Sequence, residues 1–279
     1  MSIIAPRYSL PPPTLEPRSR RGLAILEHQI RERYGALNVV LIVLLAIVSI
    51  LPIVLNFYLE GLVGTSLLGA SGRAAFFWPV GQQIWFFLLI LLTSSIGAAI
   101  IARDVATKAM TMYLARPIRP LDYLAAKSGA VAFWVFLGGV LPGWIASVLV
   151  LALGYVSLPV ALEAAGGYLV VGVLAIGALT GLSVLLSSLT PRSTLAGAGI
   201  FGLLLGSYLV MQVVAGISGR DGFLYASPIH DIVAVGSGVF GASESPLDPW
   251  SAGAVLAGVA VVAFVLAYRR LLRAQVVAE

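Results

Sequence analysis

The sequence predicts an all-α integral membrane protein with six transmembrane helices. Its six long apolar runs contain no Asp, Glu, Lys, Arg or His, and each run of roughly 19 to 26 residues can cross a hydrocarbon core of about 30 Å as an α-helix. The composition agrees, because 59% hydrophobic and 10% charged residues, with a mean hydropathy of +1.01, leave too little polar surface for a soluble domain of this length. The runs are residues 36–58, 83–102, 128–153, 166–189, 194–217 and 250–268, within a membrane domain of residues 36–273.

Two segments precede the first span. Residues 1–18 contain five prolines and predict a disordered or polyproline tail rather than a signal peptide, since the first apolar run begins only at Ala36. From residue 19 to residue 35, apolar residues recur at helical spacing opposite charged ones, which predicts an amphipathic helix in the headgroup layer. This helix fits a plain anchor and a role in gating equally well. Its apolar positions are Leu23, Leu26, Ile30 and Tyr34. At the other end of the chain, residues 274–279 are predicted to be a short tail.

The distribution of basic residues predicts the side on which each terminus lies. With six spans both termini share one side, and 15 of the 17 Lys and Arg residues then fall on that side, leaving only Arg73 and Arg220 on the other. The positive-inside bias therefore predicts a multi-pass protein of the cell membrane with both termini in the cytoplasm. The net charge of +5 follows from the same flanks, so it indicates contact with membrane lipid rather than with nucleic acid.

The connection between the second and third spans has more structure than a simple loop requires. Asp104 stands at the start of a predicted helix that runs to about Ala115, where its carboxylate suits the positive helix end. Pro117 and Pro120 prevent continuation of this helix, because proline lacks an N–H group and restricts the residue before it. A second helix from Leu121 leads into the third span. The sequence therefore predicts a short helix, a rigid corner and a return.

The sequence YLARPIRPLDYLAAK at residues 113–127 resembles the corresponding block in the membrane subunits of type-2 ABC transporters. The agreement is most specific at Arg116-Pro117-Ile118, Tyr123 and Lys127, whereas the rest of the chain resembles that family in architecture. The resemblance implies that the short helix is a coupling helix, which docks on a nucleotide-binding ATPase subunit. One departure lies at residues 105–110, where VATKAM replaces an acidic, glycine-containing stretch of many relatives. The residues implied for this contact are Asp104, Lys108, Tyr113, Arg116, Pro117 and Arg119.

In function, the resemblance implies the permease of an ATP-driven transporter, and specifically an exporter that moves substrate by alternating access. Two permease chains, as a homodimer or as a heterodimer with a similar chain, would pair with two ATPase subunits. The residues support a separate ATPase, because neither Lys108 nor Lys127 lies in the Gly-x-x-x-x-Gly-Lys-Ser/Thr pattern of a phosphate-binding loop. We therefore expect no cofactor and no catalytic residue in this chain, with ATP and Mg bound by the partner subunit.

Two other function classes fit parts of the sequence. A complex that uses ATP for mechanical or regulatory work, without solute transport, would have the same architecture. An ion-coupled secondary transporter is the weaker alternative, since such carriers usually need an ionisable relay inside the spans, and the six runs contain none. No metal site is predicted, because the predicted topology places His28 and His230 on opposite sides of the membrane.

Two regions are candidates for the transport pathway and its outer cover. Polar and aromatic residues near the outer end of span two and in span five predict the lining of a cavity. These residues are Gln82, Gln83, Phe86, Tyr208 and Gln212. The outer segment of residues 218–249 is too long for a plain turn, and its apolar part is too short to span twice. We therefore expect it to dip back as re-entrant helices, as in the family that the chain resembles. Within the third span, Pro142 predicts a bend.

Overall fold

The computed structural model describes residues 18–63, 72–76, 79–107, 119–242 and 245–276. Within these ranges the chain consists of α-helices and two short 3-10 segments and contains no β-strand, which confirms the all-α prediction. The α-helices are α1 (Arg18–Glu32), α2 (Ala36–Val63), α3 (Pro79–Gly97), α4 (Ala102–Ala106), α5 (Pro120–Gly139), α6 (Leu141–Ala152), α7 (Leu158–Leu189), α8 (Ser193–Ser218), α9 (Pro228–Phe240) and α10 (Pro249–Val276). The 3-10 segments are Gly72–Phe76 and Asp221–Ala226.

Six stretches of helix in the described ranges are long and apolar enough to cross a membrane, which confirms the prediction of six spans. They are Ala36–Leu62, Gln83–Ala106, Pro120–Ala152, Leu158–Leu189, Ser193–Ser218 and Pro249–Arg273. The third and fourth begin earlier than the apolar runs that predicted them. The runs were bounded by the charged residues Lys127 and Glu163, but the helices continue through both positions.

Helix α7 lies at the centre of the bundle and packs against α3, α5, α6, α8, α9 and α10. Its residues Ala178, Leu179 and Ser183 are completely buried. A Cβ atom at Gly181 would lie 3.2 Å from the carbonyl oxygen of Ala260 on α10. The small residue therefore permits the close approach of two long helices, as small residues commonly do in membrane bundles.

The third span is interrupted at Val140, which ends α5 and precedes α6. Pro142 lies in the first turn of α6, where its missing N–H group leaves no helical hydrogen bond unmade. The interruption is therefore located at the place where the sequence predicts a bend.

The predicted amphipathic N-terminal helix is present as α1, which packs on α5. A Cβ atom at Gly129 of α5 would lie 3.2 Å from the Cδ1 atom of Leu26, so the glycine makes room for this leucine. The location of α1 in the headgroup layer stays a prediction. The predicted tail of residues 1–18 lies outside the described residues except for Arg18.

The outer segment between the fifth and sixth spans contains α9, a short helix that packs on α7, α8 and α10. With 13 residues it is too short to cross a membrane, yet most of its residues are buried. It ends at Gly241, whose φ of 74° lies in the left-handed region that favours glycine. A buried, capped helix is what a re-entrant segment requires, and its depth in the membrane stays a prediction.

Candidate functional site

Three residues form a buried cluster at the base of the connection between the second and third spans. The Nζ atom of Lys127 on α5 lies 2.7 Å from the Oδ2 atom of Asp104 on α4. The hydroxyl group of Tyr123 donates a hydrogen bond of 2.7 Å to the same carboxylate oxygen. Lys127 is only 1% exposed, and its ammonium group lies 5.5 Å from the centroid of the Tyr123 ring. We call Asp104, Tyr123 and Lys127 the base cluster.

Local sequence explains how the base cluster forms. Tyr123 and Lys127 are four residues apart on α5, so they lie on one face of the helix. Pro120 begins that helix, which puts both residues in its first two turns. Asp104 belongs to the short α4, so one carboxylate links the two helix ends that flank residues 108–118. The contact therefore holds α4 and the start of α5 together on either side of residues 108–118, a segment that was predicted to bind the ATPase.

A side chain on α7 holds the start of α4 in place, and a side chain on α10 binds the end of α7. The backbone N–H groups of Ile101 and Ala102 each donate a hydrogen bond of 3.0 Å to the hydroxyl oxygen of Ser187. The Ser187 hydroxyl itself donates to the carbonyl of Ala98. These contacts satisfy backbone groups that the break between α3 and α4 leaves free. At the next residue of α7, the Nε atom of Arg270 on α10 donates a 2.7 Å hydrogen bond to the carbonyl of Ser188.

A second group of charges joins α1 to the base cluster. Glu32 at the end of α1 forms an ion pair with Arg103, the neighbour of Asp104. Arg33 is half-buried beside them, and burial lowers the pKa of its guanidinium group, with an opposing effect of Glu32 and a further lowering by Arg103. The carbonyl of Arg33 accepts a hydrogen bond of 2.9 Å from Asn38 at the start of α2. The N-terminal helix, α4 and α5 are therefore connected by charged and polar groups at one end of the bundle.

The residues predicted for ATPase coupling are only partly within the described ranges. Asp104 is turned into the protein and bound by Tyr123 and Lys127, whereas Arg119 is exposed and directly precedes α5. The other four predicted residues, Lys108, Tyr113, Arg116 and Pro117, lie outside the described residues. Four other residues at this end of the bundle are not among the predicted coupling residues: Glu32, Arg103, Tyr123 and Lys127. The signal for Lys127 was its position as a lone cation at the edge of an apolar run.

Two of the predicted pathway residues meet a histidine of α9. Tyr208 and Gln212 lie one turn apart on α8, as the sequence suggested. The Nε2 atom of His230 lies 2.8 Å from the Oε1 atom of Gln212. The imidazole also stacks on the ring of Tyr208, with centroids 4.5 Å apart and planes 23° apart. The amide oxygen can only accept, so the histidine nitrogen that faces it is the protonated one.

Asp231, the next residue of α9, is a buried carboxyl group. It is 1% exposed, and neither of its carboxylate oxygens has a hydrogen-bond partner among the described residues. Burial raises the pKa of Asp231 to about 7. Burial likewise lowers the pKa of His230 to about 4, which keeps its imidazole neutral at physiological pH. The end of the bundle that holds α9 therefore contains two titratable groups whose charged forms are disfavoured.

The remaining predicted pathway residues lie on α3. Phe86 is buried and lines an apolar cavity, Gln83 is exposed, and the side chain of Gln82 lies outside the described residues. The cavity has a volume of about 90 Å³ and is bounded by α2, α3, α5, α6, α7, α9 and the first 3-10 segment. Both hydroxyl groups in its lining are engaged within the protein: Ser49 donates to the carbonyl of Leu45, and Tyr168 donates to the carbonyl of Phe76.

The six spans define the chain as a polytopic helical membrane protein, and the buried charges at one end of its bundle flank the connection between spans two and three. Comparison with known families shows which group of membrane proteins the chain belongs to. The ABC-2 family transporter proteins match residues 26–276, and the chain belongs to this family. The match includes every span and the whole connection that holds the base cluster. No curated protein matches the chain.

Proposed function

We propose that this chain is the permease subunit of an ATP-driven exporter and that residues 104–119 couple it to a separate ATPase subunit. Membership of the ABC-2 transporter family supports the transport role. The observation that carries the coupling role is the buried pair of Asp104 and Lys127, which ties together the two helices flanking the proposed contact segment. Charged groups are expensive to bury unless they are paired, so their presence inside a span end indicates a specific purpose.

The base cluster suits a mechanical link between the ATPase and the spans. A force applied to residues 108–118 reaches α4 and α5 together, because Asp104 binds both Tyr123 and Lys127. From α4 the displacement passes to α7 through Ser187, and from Arg103 it passes to α1 through Glu32. The segment thus acts on several helices at once, which is what a change between inward-facing and outward-facing states requires. In this proposal two permease chains and two ATPase subunits form the transporter, and ATP and Mg are bound by the ATPase.

The proposal also fixes the orientation. The end of the bundle with the base cluster faces the cytoplasm, where the ATPase binds, and both termini lie on that side. The end with α9 then faces the outside. The basic residues concentrated around the first end support this orientation through the positive-inside bias.

Co-purification with an ATPase tests the proposal. The chain is expressed with the candidate ATPase subunit, purified through a tag on the permease, and assayed for ATP hydrolysis in lipid vesicles. We expect the ATPase to co-purify, and we expect a Tyr113→Ala, Arg116→Ala double variant to lose it. Arg192→Ala is the matched control, because Arg192 is exposed and basic at the same end of the bundle but lies between α7 and α8. Equal loss in both variants, or no bound ATPase with the wild type, would reject the coupling role.

A further inference from the structure

We propose that the apolar cavity beneath α9 binds the methyl end of one acyl chain of a membrane phospholipid within each copy of this protein. All the residues that line the cavity belong to one chain, so the site does not require a second permease. It therefore adds a lipid site to the proposed function without depending on which solute is exported.

The position of the cavity places it in the hydrocarbon region. Val135 and Gly139 line it from α5, and they follow Lys127 by about two and three helical turns. On α7 the lining residues Tyr168 to Ile176 occupy the middle of a helix that runs from Leu158 to Leu189. The cavity is thus removed from the charged end of the bundle and lies between the centre of the spans and α9.

The lining has the chemistry of an acyl-chain site. Apart from Ser49, Trp85 and Tyr168, every lining side chain is aliphatic, a phenyl ring or glycine. The two hydroxyl groups donate to backbone carbonyls, which leaves no hydroxyl proton free for a polar ligand. An apolar cavity of this size does not hold water, since water needs two to four polar partners, whereas it accepts apolar molecules.

Most of the lining residues on α2 are partly exposed, whereas those on α7 and α9 include buried ones. Val48, Ser49 and Pro52 on α2 are partly exposed, and only 22% of that span is buried. The buried part of the lining includes Ile232 of α9 and Val171 of α7, which are 1% and 8% exposed. An acyl chain from the surrounding bilayer can therefore enter beside α2, and its end contacts α9. Bulk lipid does not reach Ile232, so contact with this residue identifies an occupant of the cavity.

Photo-crosslinking provides the test. The full-length protein is reconstituted with a phosphatidylcholine that carries a diazirine at the methyl end of one acyl chain, illuminated, digested and mapped by mass spectrometry. We expect label on Ile232 and Val171 in addition to the lipid-facing residues of α2. Label confined to exposed residues would overturn the proposal.

A substitution that fills the cavity makes the test specific. Gly139→Leu places its Cβ atom 3.8 Å from the nearest atom of Leu89, which is an ordinary contact, so the rest of the side chain enters the cavity. Gly166→Leu on α7 is the matched control, because a Cβ atom there meets nothing within 4 Å and Gly166 does not line the cavity. We expect the first variant to lose the label on Ile232 and the second to keep it. If Gly139→Leu does not elute as a folded protein, Ser49→Met fills the cavity from α2 instead. Unchanged labelling in a folded, filled variant would reject the site, and displacement of the label by a transported solute would show that the cavity belongs to the pathway.

Discussion

The ammonium group of Lys127 lies 2.7 Å from the carboxylate of Asp104, and the two residues belong to different spans. The lysine is almost completely buried, so solvent only weakly screens the attraction between the two charges. Between the two positions in sequence lie residues 108–118, the proposed contact with the ATPase. Loss of the pair is therefore expected to change two measurable properties: the stability of the fold and the coupling of transport to ATP hydrolysis.

Removing one partner of the pair should destabilise the protein strongly. Among the described residues, Lys127→Met leaves the Tyr123 hydroxyl as the hydrogen-bond partner of the Asp104 carboxylate. A buried charge without its partner costs about 3 to 5 kcal/mol in the free energy of unfolding. Thermal unfolding of the purified protein in detergent measures this loss. The compensating variant is Asp104→Asn with Lys127→Met, in which both charges are removed and Tyr123 keeps an acceptor. We expect it to recover most of the stability, and a fully stable Lys127→Met single variant would contradict the assignment.

The same double variant separates coupling from folding. If the pair transmits force from the ATPase, the stable double variant should bind the ATPase but show reduced ATP-driven transport in proteoliposomes. The expected ratio of transport to ATP hydrolysis is lower than that of the wild type. A wild-type ratio would show that the pair serves folding alone.

Ser187 offers an independent prediction about α4. Ser187→Ala removes the acceptor of two buried N–H groups, and each unsatisfied group costs about 1 to 3 kcal/mol. Ser183→Ala is the matched control, because Ser183 is equally buried on α7 but its hydroxyl donates only to the carbonyl of Leu179 in its own helix. Thermal unfolding should show a clear decrease for Ser187→Ala and little change for Ser183→Ala. Similar decreases in both variants would contradict the capping role.

The orientation of the bundle is testable because the chain contains no cysteine. Single Cys variants are made at Arg119 before α5 and at Asp221 between α8 and α9, both of which are exposed. In intact cells, a membrane-impermeant maleimide should label Asp221→Cys and should label Arg119→Cys only after permeabilisation. The reverse pattern would place the base cluster outside the cell and would remove the proposed contact with a cytoplasmic ATPase.

The spans could be predicted from the sequence, but the beginnings of the third and fourth could not. Absence of charge locates a span securely, because an unpaired charge in the membrane is costly. The same criterion places the beginning of the third run after Lys127. The lysine nevertheless lies inside the helix, because it is paired with Asp104, which is 23 residues earlier in the chain on the other side of the connecting segment. A pair of that separation has no local pattern. The helix that begins at Pro120 therefore includes a position that the sequence alone assigns to the flank.

Only part of the polar cluster around α9 could be predicted from the sequence. Tyr208 and Gln212 are four residues apart and therefore share a face of α8, where both contact His230. Their partner His230 comes from the outer segment, and its approach depends on how α9 packs against α8. No periodicity in the segment itself encodes that contact, because the relation is between two helices joined by a 3-10 turn.

Two neighbouring residues of α9 should give opposite pH dependences of stability. The pKa of Asp231 is raised from 3.8 to about 7, so the folded state binds the extra proton between these values, and its contribution to stability falls as the pH rises through this window. The pKa of His230 is lowered from 6.5 to about 4, so the unfolded state binds the extra proton, and its contribution to stability rises from about pH 4 to about pH 6.5. The two contributions oppose each other in the wild type over most of this range.

Single variants should therefore uncover each contribution in turn. Between about pH 4.5 and pH 6.5, the thermal unfolding midpoint of His230→Gln should fall relative to the wild type as pH rises, because only the Asp231 contribution remains. Over the same range Asp231→Asn should show the opposite relative slope, because it retains only the His230 contribution. His28→Gln replaces an exposed histidine on α1 and is the control for a general effect of histidine loss. Relative slopes of the same sign in the two α9 variants would show that these residues do not titrate as buried groups, and α9 would then have to be more open than its packing against α7 and α10 indicates.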